Sequence, residues 1–174
     1  MAARAARPAA AIRLLVLDVD GVLTDGRLYY GPRGEELKVF HVLDGHGIRE
    51  LQRRGIRVAV ISGRDSAAVR RRCRELGIAH LHQGIAEKLP VLEKLCRRLR
   101  IRLAECAAIG DDLPDVPLLR AVGLAFAVPG AHASARRAAG RTTRAAGGEG
   151  AVREVCDLLV AAATGARRAQ DRGR

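Results

Sequence analysis

The run Leu14-Leu15-Val16-Leu17-Asp18-Val19-Asp20-Gly21-Val22-Leu23-Thr24-Asp25-Gly26 constrains the fold more than any other stretch of the chain. An apolar strand drives two carboxylates out of its C-terminal end, and glycines then free the backbone to turn sharply. Successive strand residues point to opposite faces, so Asp18 and Asp20 lean the same way while Val19 points into the layer behind. Two like charges at close quarters repel, and a divalent cation between them makes the site tolerable. Such a site suits phosphoryl transfer, with one carboxylate as nucleophile and the other as acid and base. For Asp-x-Asp-Gly alone the alternative is a strand ending in a polar turn, with Asp chosen for its geometry.

Strand and helix then alternate. Segments 12–18, 57–61, 79–82, 105–109 and 124–127 read as strands, with a small one over 141–143. Segments 44–54, 65–76, 87–99, 114–122, 131–138 and 150–163 read as helices. Residues 27–30 and 37–42 flank the turn-rich quartet Gly31-Pro32-Arg33-Gly34 and read as a β-hairpin. This order predicts an α/β fold: a three-layer, Rossmann-like parallel sheet with right-handed crossovers, helices on both faces and a β-hairpin flap. No internal repeat and no second domain is found. One domain is expected over residues 12–163, between disordered basic tails at 1–11 and 164–174.

The net charge of +12 invites a nucleic-acid partner, but the composition argues against one. Only 3 of the 31 basic residues are Lys, and abundant Arg beside abundant Ala reads as compositional bias. No aromatic interleaves a basic run, so bases have no stacking platform. Part of the excess charge can attract an anionic substrate. A non-catalytic basic nucleic-acid-binding module is the reading from a different class, and a mere scaffold has no need of repelling carboxylates. No apolar stretch approaches the roughly 18 residues of a membrane span, and the start lacks the apolar core of a secretory signal. A cytoplasmic protein is expected. Cys73, Cys96, Cys106 and Cys156 are scattered without a Cys-x-x-Cys pair, which predicts buried, reduced thiols rather than a zinc site.

Ligands of parallel sheets bind beyond the carboxyl ends of the strands, and those ends are chemically loaded. Ser62-Gly63-Arg64 follows the second main strand; a hydroxyl and a free backbone N–H there make a phosphate seat, or else a plain helix cap. Lys88 opens a helix, against the preference of the dipole for anions at that end, which suggests another task such as holding a phosphoryl oxygen. Asp111 and Asp112 leave the fourth strand, with Asp115 close behind. Asp111 is the favoured metal ligand; Asp112 and Asp115 can cap the next helix, or one of them can orient Lys88.

This ordered set resembles the haloacid dehalogenase superfamily of phosphotransferases, over residues 12–160. The resemblance implies that Asp18 is the nucleophile, that Asp20 protonates the leaving oxygen and then activates water, and that Ser62 and Lys88 stabilise the transferring group. It implies Mg2+ held by Asp18, the Asp20 carbonyl and Asp111. More closely, Gly21–Gly26, the hairpin, Phe40–Ile48, Ile61–Arg64, Gly110–Asp115 and Ala146–Glu154 resemble the capless family of 3-deoxy-D-manno-octulosonate 8-phosphate phosphatases. What that resemblance implies is a homotetramer in which hairpins associate and a neighbouring subunit closes each site, and a substrate region at Asp20, His41, Val42, Leu43, Asp44, Gly45, Arg49, Arg64, Arg72 and Lys88. His41 stands where many members carry Asn, and Leu43 where many carry a basic residue. Related 9-phosphate phosphatases of nine-carbon sialic-type acids share the framework and are the alternative. The Gly147–Gly150 loop can serve as a lid or as a plain connection.

Overall fold

A computed structural model of the chain describes residues 9–33 and 36–171. Its elements run β1 (Leu14–Leu17), β2 (Tyr29–Tyr30), β3 (Glu36–Leu37), α1 (Val42–Arg53), β4 (Arg57–Ile61), α2 (Ala67–Leu76), β5 (His80–His82), α3 (Lys88–Leu99), β6 (Cys106–Gly110), α4 (Val116–Ala121), β7 (Leu124–Ala127), α5 (Ala133–Ala139) and α6 (Ala151–Asp171). Five strands form a sheet in the order β5-β4-β1-β6-β7, parallel throughout, and β2 pairs antiparallel with β3 in the hairpin.

The central position of β1 explains its composition. Leu14, Leu15, Val16 and Leu17 are all buried, because helices cover both faces of the sheet. The chain steps from β1 to β4 to β5 in one direction, then from β6 to β7 in the other. Right-handed crossovers therefore put α1 and α2 on one face and α3 and α4 on the other. In agreement, α1 packs against α6 and α3 against α4, which packs in turn on α5. Leu17 lies level with Val60 and Ile109, so β1, β4 and β6 release their chains at nearly the same height. Asp18, Ser62 and Asp111 emerge there.

Differences from the expected elements have local causes. The segment at 141–143 makes only an isolated bridge, Ala127 to Thr142, and no strand. The helix expected over 114–122 divides into a 3-10 turn at Leu113–Asp115 and α4. The last helix passes residue 163 and continues to Asp171, since the alanines around Gly165 carry enough helix propensity to outweigh it. Ala9–Ala11 form a 3-10 turn. The rest of the expected N-terminal tail, and residues 172–174, lie outside the described residues, as does Gly34 of the hairpin turn. Among the described residues no helix is long and apolar enough to cross a membrane. All four cysteines are free and buried.

Asp44 ties α1 to α6. It is buried, and its Oδ1 accepts the main-chain N–H of Arg153 at 2.7 Å, in the first turn of α6. Burial pushes its carboxyl above the ordinary value, and the N–H groups of Arg153 and Gly150 offset only part of that. Asp44 thus acts as a long-range helix cap, holding the N-terminus of α6 against the first helix. Asp44→Ala is expected to destabilise the fold by about 1–2 kcal/mol, read as a lowered urea midpoint at unchanged slope; an unchanged midpoint would remove this cap from the account.

Candidate active site

A cleft of about 380 Å³ opens at the carboxyl ends of the strands, lined among others by Asp18, Asp20, Ser62, Arg64, Lys88 and Asp111. Asp18 and Lys88 are almost fully buried in its floor, 2.8 Å apart from Oδ1 to Nζ. Lys88 also donates to Asp115 Oδ1 at 2.6 Å. The second oxygen of Asp115 accepts the main-chain N–H groups of Asp111 and Asp112, at 3.0 and 3.2 Å. Asp115 is therefore the residue that orients Lys88, and both of its oxygens are engaged. Asp112 caps the 3-10 turn through Leu113 N–H, at 2.7 Å.

Three carboxylates crowd one ammonium here. Asp18, Asp111 and Asp115 each place an oxygen within 4.8 Å of the others. Burial pushes the Asp18 carboxyl up to about 6, the negative charge of Asp115 adding to it and Lys88 partly offsetting it. Burial together with the charges of Asp18 and Asp115 pushes Asp111 up to about 8. For Lys88, burial acts downward, but the two carboxylates more than offset it and hold the ammonium above its ordinary value. This donor set fits a hard divalent cation, since oxygen ligands with uncompensated charge are what Mg2+ requires. With Asp115 committed to Lys88 and two N–H groups, the free donors are the carboxylates of Asp18 and Asp111.

The carboxylate of Asp20 is not part of that crowd. Its Oδ1 meets the ammonium of Lys38, and its Oδ2 lies 3.9 Å from Arg64 Nε. The crowding read between Asp18 and Asp20 thus falls instead between Asp18, Asp111 and Asp115, because the turn after β1 carries Asp20 toward the hairpin. That turn is tight: the carbonyl of Val19 accepts from the N–H groups of Val22, Leu23 and Thr24. Gly21 stands in it at φ 86°, and a Cβ there would lie 2.1 Å from Asp111 Oδ2. Lys38 and Glu36, which the sequence reading passed over, reach Asp20 and Arg64 at the edge of the cleft from the hairpin. The signal available was a lone Lys between two exposed apolar residues, which reads as surface until the hairpin folds back.

Ser62 is buried just past β4, with its N–H donated to His82 O at 2.9 Å. Its hydroxyl is what it brings to the cleft, and the cap of α2 is Ser66 instead. The Gly147–Gly150 segment packs against the turn after β1 of its own chain. Gly148 N–H donates to Val22 O at 3.0 Å, and a Cβ on Gly147 would lie 1.8 Å from the carbonyl oxygen of Gly21. It supports the turn after β1 from beneath.

Several residues of the expected substrate region do not line this cleft. His41 caps α1, accepting from Leu43 N–H at 3.3 Å, and Val42 and Leu43 are exposed beside it. Asp44 caps α6, Gly45 is buried against Arg72, and Arg49 donates to the carbonyl of Glu75. Arg72 lies over the ring of Phe40, 5.8 Å from its centroid. Val42, Leu43 and Arg49 are exposed along α1, Arg72 lies on α2, and Asp44 and Gly45 are buried between elements outside the cleft.

Comparison with known proteins follows the same lines. The haloacid dehalogenase-like hydrolase family matches residues 28–123. The chain is 52% identical over 151 residues to the 3-deoxy-D-manno-octulosonate 8-phosphate phosphatase KdsC of Escherichia coli K12, covering 87% of this chain and 80% of that one. It is 49% identical to the Yersinia pestis enzyme of the same name over 154 residues, 88% and 82% of the two chains. The crystal structure of the Moraxella catarrhalis 3-deoxy-D-manno-octulosonate 8-phosphate phosphatase, in complex with magnesium, phosphate and KDO, matches with a TM-score of 0.89 at 42% identity over 97% of each chain.

The raised carboxyls predict a pH dependence. A carboxyl held above its unfolded value keeps its proton in the fold after the unfolded chain has lost it. Stability is therefore lost as pH rises from the ordinary carboxylate value, 3.8, through about 6 for Asp18 and about 8 for Asp111. A cation that binds the ionised pair reverses the loss. Thermal melts in EDTA and in millimolar Mg2+ are expected to differ more at pH 8.5 than at pH 5.5; an increment independent of pH would contradict it.

Proposed function

Because the chain belongs to the haloacid dehalogenase-like hydrolases, we propose that this phosphatase hydrolyses 3-deoxy-D-manno-octulosonate 8-phosphate to the free sugar acid and phosphate, through an aspartyl-phosphate on Asp18. The observation that carries the chemistry is a buried carboxylate at the end of the central strand, 2.8 Å from a buried ammonium and flanked by Asp111. The substrate reading is supported by relatives of that name at 52% identity and by a structural neighbour whose crystal holds magnesium, phosphate and KDO.

Asp18 attacks the phosphorus, the bond from phosphorus to the sugar oxygen breaks, and Asp20 gives that oxygen its proton. Asp20 then takes a proton from a water that attacks the phosphorus of the aspartyl ester, which releases Asp18 and inorganic phosphate. Lys88 faces the oxygens of the transferring group from one side and the Ser62 hydroxyl from another, so their dipole and charge are already aimed where negative charge moves. Asp18, Asp111 and the Asp20 carbonyl would hold Mg2+, which supplies positive charge to the phosphoryl oxygens when bound. Arg64, at the mouth of the cleft, suits the carboxylate of the sugar acid.

The protein is proposed to act as a cytoplasmic homotetramer. Leu28, Tyr30, Leu37, Val39, Val42 and Leu43 are all exposed and fall within one stretch of hairpin and helix start, an apolar concentration that favours association. In such an assembly His41, Val42, Leu43 and Arg72 would reach a neighbouring cleft rather than their own.

Asp18→Asn is expected to reduce kcat by a factor of about a thousand or more, with the radiolabelled phospho-enzyme lost on rapid quench; full turnover would refute nucleophilic catalysis. Steady-state assays are expected to give a kcat/KM at least about tenfold higher on the eight-carbon 8-phosphate than on a nine-carbon sialic-type 9-phosphate, a discrimination that binding energy alone can supply. The reverse preference would establish the second substrate class.

A further inference from the structure

The hairpin carries a buried charge to Asp20, at the edge of the cleft, that no part of the phosphatase reading has used. Lys38, just past β3, has a side chain only 1% exposed. Its ammonium meets Asp20 Oδ1 and stands 3.4 Å from Glu36 Oε1. Glu36 Oε2 accepts from Arg64 Nη2 at 3.0 Å, and Arg64 Nε returns to within 3.9 Å of Asp20 Oδ2. Acid and cation thus alternate around a closed ring of Asp20, Lys38, Glu36 and Arg64. Arg64 also donates to the Tyr30 hydroxyl at 3.2 Å, which ties the ring to β2.

Burying an ammonium is unfavourable unless it is paired, and a Lys on a two-stranded hairpin would ordinarily reach into water. Here it is turned inward onto one carboxylate. Asp20 benefits from such a partner, because it stands in the turn after β1 and its carboxyl is partly exposed. Its two oxygens are instead faced by cations from different segments, Lys38 from the hairpin and Arg64 from the start of the β4–α2 connection. An acid that must meet a single oxygen of the substrate loses rate steeply when its position drifts.

We propose that Lys38 is the positioning residue for Asp20: the hairpin ammonium, itself steadied by Glu36, holds the Asp20 carboxyl where it can reach the leaving-group oxygen. This rests on the reading above that Asp20 exchanges the proton. It makes docking of the hairpin and placement of the acid a single event, so that the flap contributes to the chemical step as well as to association.

The test compares leaving groups. An alkyl phosphate such as 3-deoxy-D-manno-octulosonate 8-phosphate releases an alkoxide that needs the proton, whereas p-nitrophenyl phosphate releases a stable phenolate that does not. Because kcat/KM reports the step that forms the phospho-enzyme, Lys38→Met is expected to lower it for the alkyl ester by about tenfold or more beyond any loss on the aryl ester. Lys38→Arg should recover part of that selective loss, and Glu36→Gln should show a smaller one. The ratio of the two esters, measured on one preparation, is independent of the fraction folded. Equal losses on both esters in Lys38→Met, while Asp20→Asn remains selective against the alkyl ester, would overturn the proposal. An Asp20→Asn variant with no selectivity would instead overturn the role given to Asp20.

Discussion

Three carboxylates and one ammonium share the buried end of β1, and the charge imbalance among Asp18, Asp111, Asp115 and Lys88 governs the rest of the site. A lone Lys cannot neutralise three acids in a poorly solvated floor, so the fold has two ways to tolerate them. It can retain protons, which is why Asp18 and Asp111 lie at about 6 and about 8, or it can take up a divalent cation. Asp115 is removed from the choice by its bonds to Lys88 and to two main-chain N–H groups. What remains is the pair of carboxylates, Asp18 and Asp111, whose oxygens can take a cation.

Around this floor the protein arranges a second charge cluster of opposite character. The ring of Asp20, Lys38, Glu36 and Arg64 is balanced, two acids against two cations, and it spans the hairpin and the end of β4. On the roles proposed for them, the two clusters separate the tasks of the two aspartates. Asp18 sits where negative charge is in excess and a metal is wanted, whereas Asp20 sits where charge is balanced and direction is wanted. One strand end supplies both because the turn after Val19 swings the chain from the sheet toward the flap, a turn that Gly21 and the Gly147–Gly148 support make possible.

The sheet was legible because its strands are short, apolar and separated by helices with clear periodicity; β4 and β7 fall where the pattern put them. The cleft was legible for a related reason: parallel strands gather whatever follows them, and Asp18, Ser62, Lys88 and Asp111 follow strands or open a helix beside them. Tertiary roles were harder to read. Asp44 sits in a stretch that resembles a substrate segment, yet its partner is Arg153, 109 residues away. Lys38 looks like a surface residue until the hairpin turns it inward. Asp115 could be a cap or a lysine partner by spacing alone, and only the folded 3-10 turn shows it binding Lys88 as well as its own backbone. The end of α6 escaped notice because an Ala-rich, Arg-rich end reads as a tail as readily as a helix.

The most direct test of the charge imbalance is a calorimetric titration of metal-free protein with Mg2+ at pH 7, repeated in buffers of different ionisation enthalpy. If Asp18 and Asp111 share retained protons that the cation must displace, binding should occur at a single ion per chain and release about one proton. Binding without any proton release, or no binding in this cleft at all, would contradict the account.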